Sequence, residues 1–134
     1  MTERAPFIVT VRDGLGEVTL LTAGPEALIA AYRALLTHPD FVDSMDSLWD
    51  MREVESPLLG SEVMPATVEA EELIRTTGAD RSGRRVAVIV GSDLTFGVTR
   101  MFAGLAGGRL PMVFEGFREE EEARGWLRSG REEE

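Results

Sequence analysis

The sequence predicts an α/β domain built on a mostly parallel five-stranded sheet with an antiparallel first strand, in the order β-β-α-β-α-β-α-β-α. Three observations carry this prediction. Two short β-branched runs near the start are separated by turn residues, which is the pattern of a hairpin. The run Val86-Ala87-Val88-Ile89-Val90, bounded by Arg84-Arg85 and Gly91, is continuously apolar, as in a strand buried on both faces of a parallel sheet. From Pro25 onward, helical-period segments separate every later pair of strands, and parallel neighbours need such crossovers.

Taken in order, Phe7 to Val11 and Glu17 to Leu21 form the hairpin, with Asp13-Gly14-Leu15-Gly16 as turn chemistry. Pro25 suits a first helical turn, and Leu28, Ile29, Tyr32, Leu35 and Leu36 repeat with helical spacing up to Pro39. Ser47 to Val54 alternates and is expected to be the third strand. Glu55 to Met64, interrupted by Pro57 and Gly60, is expected to be a loop, and Pro65 to open a helix that Gly78 stops. After the buried strand, Ser92-Asp93 caps a helix carrying Leu94, Val98, Met101, Phe102 and Leu105 as far as Gly107-Gly108. Pro111 to Phe117 reads as an edge strand because it begins with proline. Arg118 to Arg128 closes the fold as a helix packing Ala123, Trp126 and Leu127. One domain over residues 1–128 and an acidic tail over 129–134 follow.

Composition narrows the chemistry. The 134 residues include no Cys, and the sequence also lacks Lys, Asn and Gln, with His38 its single histidine. Thiolate metal sites, cysteine nucleophiles, a phosphate-loop lysine and a three-histidine zinc site are thereby excluded, and no metal or cofactor is expected. Fourteen basic against 24 acidic residues give a net charge of -10, which disfavours nucleic acid and anionic membranes as partners. No targeting signal and no apolar run of membrane-spanning length is present, so the expected compartment is the cytoplasm.

The strand Leu48-Trp49-Asp50-Met51-Arg52, the block Arg84 to Val90 with Asp93-Leu94-Thr95-Phe96-Gly97 and Arg100-Met101-Phe102, and the ending Val113-Phe114-Glu115-Gly116-Phe117-Arg118 to Trp126-Leu127 resemble the SpoIIAA-like branch of the STAS superfamily. The resemblance spans about residues 7–127. It implies a non-enzymatic binding or switching module that docks a protein partner. In that superfamily's anti-sigma-factor antagonists, a serine after the third strand is phosphorylated within an Asp-Ser-Ser-Gly-like motif. Here the corresponding stretch reads Glu55-Ser56-Pro57-Leu58-Leu59-Gly60-Ser61-Glu62, which makes Ser56, Leu58, Leu59 and Ser61 the candidate switch and docking residues. The branch has also been compared with CRAL-TRIO lipid-transfer domains, which implies a small apolar ligand as the alternative occupant.

Two further sets are candidates. Asp50 and Arg52, two apart on one strand, and Ser92-Asp93, where a buried strand meets a helix, are candidate walls of a polar cleft at the strand ends. Each has a structural reading as well, as an ion pair and as a helix cap. Trp49, Phe96, Met101 and Phe102, with Met112 and Phe114, are candidate walls of an apolar pocket, or else ordinary core, and a ligand carrier would need about 300 Å³ or more. Ser44, Ser47, His38 and Asp40 also allow a Ser-His-Asp set to be written, but nearness in sequence is not triad geometry, and no catalytic residue is assigned. The exposed edge strand admits a homodimer.

Overall fold

The structure, a computed structural model, describes residues 5–55, 58–106 and 108–132. Strands β1 (Phe7–Arg12), β2 (Leu15–Leu20), β3 (Asp46–Asp50), β4 (Arg85–Ile89) and β5 (Val113–Phe117) form one sheet in their sequence order. β1 pairs antiparallel with β2, and the remaining neighbours are parallel, as the hairpin and crossover patterns predict. Asp13 and Gly14 both take positive φ, 53° and 74°, which lets a two-residue turn follow the twist of the two strands.

Helices α1 (Pro25–Leu36), α2 (Gly60–Thr77) and α3 (Asp93–Ala106) are the three crossovers, and α4 (Glu120–Glu132) ends the chain. Each crossover advances the sheet by one strand in the same direction, so a common hand puts α1, α2 and α3 on one face. Val18, Trp49, Val86 and Val88 point into that layer. α4 covers the opposite face, where Ala123 and Leu127 pack on Leu48, Ala87 and Ile89.

Several boundaries differ from the sequence reading. β3 ends at Asp50 rather than Val54, because the chain turns at Met51 to Val54, where Val54 N–H donates to the Met51 carbonyl at 3.2 Å. β5 begins two residues after Pro111. α2 begins at Gly60, not Pro65, and Gly78 closes it at φ 74°. The early start has a cause: the Glu62 carboxylate accepts the Leu59 backbone N–H at 2.8 Å, satisfying one donor at the helix entrance. α4 continues through Ser129 to Glu132, so helix occupies part of the stretch read as a tail.

Candidate functional site

The three crossover helices do not lie equally close to the sheet. α1 packs over β1 and β2 and α3 over β5, whereas α2 packs chiefly on its neighbours α1 and α3. The inner face of α2 also carries small side chains, Ala66 and Ala70, one helical turn apart and both buried. Beneath it lie Trp49 of β3 and Val86 and Val88 of β4. A cavity of about 90 Å³ remains between α2 and the sheet, closed at its sides by Leu28 and Ile29 of α1 and by Val98 and Phe102 of α3. Its wall is almost wholly apolar.

Three lining side chains carry hydrogen-bond donors. Thr99 Oγ1 donates to the Thr95 carbonyl at 2.9 Å, and Trp49 Nε1 donates to Ser47 Oγ at 3.1 Å. As a donor the Tyr32 hydroxyl meets the Met112 sulfur, at 3.9 Å, and both residues line the cavity. Burial pushes the Tyr32 phenol up to about 12, with Arg81 nearby acting in the opposite direction. Arg81 is itself buried, 2% exposed, and burial lowers its pKa. Its guanidinium donates to the carbonyls of Asp43 at 3.1 Å and Met45 at 2.7 Å and stacks 4.6 Å from the Phe41 ring, while its Nε has no partner among the described residues.

The apolar candidates divide. Trp49 and Phe102 line the cavity, but Phe96, although packed on the core, lies outside its lining, and Met101 is 45% exposed. A helical stripe read from sequence cannot separate the face over the sheet from its flanks, which is how Met101 was misassigned.

The polar candidates stand near the carboxyl ends of the strands, and each is engaged by a partner within the chain. Asp50 takes two bonds from the Arg52 guanidinium, at 3.0 and 2.8 Å, and Arg52 continues to Glu120 at 3.1 Å. Burial raises Asp50, but the bonds from Arg52 outweigh it and leave its carboxyl below the usual range. Ser92 Oγ accepts the Thr95 backbone N–H at 3.1 Å, the arrangement of a helix cap. Asp93 pairs with Arg118. A side chain at Gly91 would stand 3.2 Å from the Arg52 carbonyl, so backbone closes the crevice between these groups.

The docking set also divides. Leu58 is 4% exposed and packs with Val63 and Ala66, which corrects its assignment to a docking surface. Leu59 is 62% exposed, Ser61 is exposed in the first turn of α2, and Ser56 lies outside the described residues. His38 follows α1 and so sits at the amino end of the sheet, whereas Asp50 and Arg52 sit at the other end. Its Nδ1 accepts the Asp40 backbone N–H at 3.1 Å.

The cavity residues missed in the sequence are chiefly Tyr32, Ala66 and Ala70. The pair of alanines four apart, on a helix crossing a strand with tryptophan, was the available signal. Among the described residues no acidic or histidine cluster suits a metal ion, and no helix is long and apolar enough to cross a membrane. No protein-family model, curated protein or solved structure matches the chain.

Proposed function

We propose that this domain is a non-enzymatic binding module that holds a small apolar molecule between the sheet and the layer of α1, α2 and α3. The observation that carries the reading is the apolar cavity of about 90 Å³ beneath α2. It falls short of the about 300 Å³ expected above for a ligand carrier, the lower end of pockets for drug-sized ligands, so any occupant must be smaller than that class. Its size suits a compact hydrocarbon group, since an apolar cavity of ~150 Å³ stays dry and binds benzene. Ion pairing among the charged groups at the strand ends favours binding over catalysis as the role of the fold.

The test is the mass of the domain purified from its native host, measured under native and denaturing conditions. A mass excess lost on denaturation is expected. Equal masses in both states, together with no binding of added toluene, would overturn the reading.

A protein partner is the second reading, and the exposed Leu59 at the entrance of α2, with Met64 and Val68 on the helix, favours it. On that reading, Leu59→Asp together with Val68→Asp would release a co-purifying partner while leaving the fold intact. The cytoplasm is the proposed compartment for either role.

A further inference from the structure

We infer that the cavity selects apolar molecules that carry one hydrogen-bond acceptor oxygen, with Tyr32 donating to it. The inference rests on the apolar-ligand reading above and names the class of ligand.

The argument begins with the donors in the cavity wall. Thr99 and Trp49 already donate to oxygen atoms within the protein. Tyr32 does not: its hydroxyl is buried, and the acceptor its proton meets among the described residues is the Met112 thioether at 3.9 Å. Sulfur of this kind is a weak acceptor. A buried hydroxyl normally finds a stronger one, because leaving a donor poorly satisfied away from water costs free energy. Met112 precedes β5 and carries an unbranched, adaptable side chain that can yield to a ligand atom.

The surroundings act in the same sense. Arg81 faces the Tyr32 hydroxyl as a further donor, so it is the hydroxyl proton, not its oxygen, that wants an acceptor, and the charge of Arg81 is shared with Asp43 and Asp46. That end of the cavity therefore has an underused donor, and the rest of the wall is almost wholly hydrocarbon. An oxygen acceptor on an otherwise apolar molecule complements both halves.

Toluene and benzaldehyde separate the two halves, since they have similar size and differ in a carbonyl oxygen. In the full chain, benzaldehyde is expected to bind about 3- to 10-fold more tightly than toluene, the range for one net hydrogen bond. Tyr32→Phe keeps the ring and should erase that preference while leaving toluene affinity within about twofold. Met112→Leu removes the competing sulfur and should retain or widen the preference. Toluene binding with no preference for benzaldehyde, or a preference that survives Tyr32→Phe, would overturn the inference alone. Failure of both probes to bind would overturn the apolar-ligand reading and the inference with it.

Discussion

At the residue scale, Gly16 is a place where the sheet comes close to α1 and the loop that follows it. A Cβ there would stand 2.7 Å from both Leu35 Cδ1 and the Phe41 ring, well inside contact distance, and Leu35 is completely buried. Gly16→Ala must therefore displace core side chains, at a cost of about 1–3 kcal/mol for overpacking. Urea denaturation should show a lowered midpoint with an unchanged slope; an unchanged midpoint would mean the region yields freely. In the sequence Gly16 read as turn chemistry beside Gly14. Only the register, which pairs Gly16 with Val11 and Ser47 in the middle of the sheet, reveals a glycine selected by a neighbouring helix and loop. Tyr32 illustrates the same limit, because helical spacing placed its ring in the core but said nothing about what its hydroxyl meets.

At the scale of elements, α2 was the least legible. Proline often occupies the first helical position, so Pro65 suggested a helix entrance, yet five residues of α2 precede it. Capping by Glu62 and burial of Leu58 and Val63 hold the additional turn in place. The proline consequently sits where its missing N–H leaves the Ser61 carbonyl without an intrahelical donor, and where its ring crowds that carbonyl. Pro65→Ala should stabilise the domain by about 1–2 kcal/mol, because relief of a helix-interior penalty near 3 kcal/mol is partly offset by greater freedom of the unfolded chain. A differential scanning measurement would show a raised midpoint, and a lowered one would mean that the proline anchors the entrance. By contrast, α1, β4 and the hairpin were readable because their signals are local: regular apolar spacing, an uninterrupted apolar run, and an Asp-Gly turn.

For the whole molecule, charge and packing divide the work between the two faces of the sheet. On the α4 side, ion pairs run from Asp50 through Arg52, Glu120 and Arg124 to Glu17 and Arg12, joining the end of β3, α4 and the hairpin. Burial raises Glu17, but the bonds from Arg12 and Arg124 prevail and hold its carboxyl below the usual value. A carboxylate depressed in the folded state contributes stability above its unfolded pKa, near 4, and loses it as pH falls through the folded value. Denaturation midpoints should therefore fall as pH is lowered below about 4, and Glu17→Gln should flatten that decline. An identical pH profile for the variant and the natural protein would contradict the assignment.

The opposite face holds the central claim. The sheet order and the helix layer were both legible from the alternation of strands and helices, but the cavity was not, because it depends on how high α2 rides on α1 and α3. Ala66 and Ala70 then leave unfilled the space that longer side chains would occupy. The most direct test is to follow backbone amide NMR shifts of the isotope-labelled domain during titration with toluene, beside the cavity-filling variant Ala70→Leu. Saturable shifts at Leu28, Ile29, Ala66, Ala70, Val98 and Phe102, lost in a variant that remains folded, are the predicted result. No saturable shifts in the natural protein, or shifts confined to the exposed Leu59, Met64 and Val68, would contradict it.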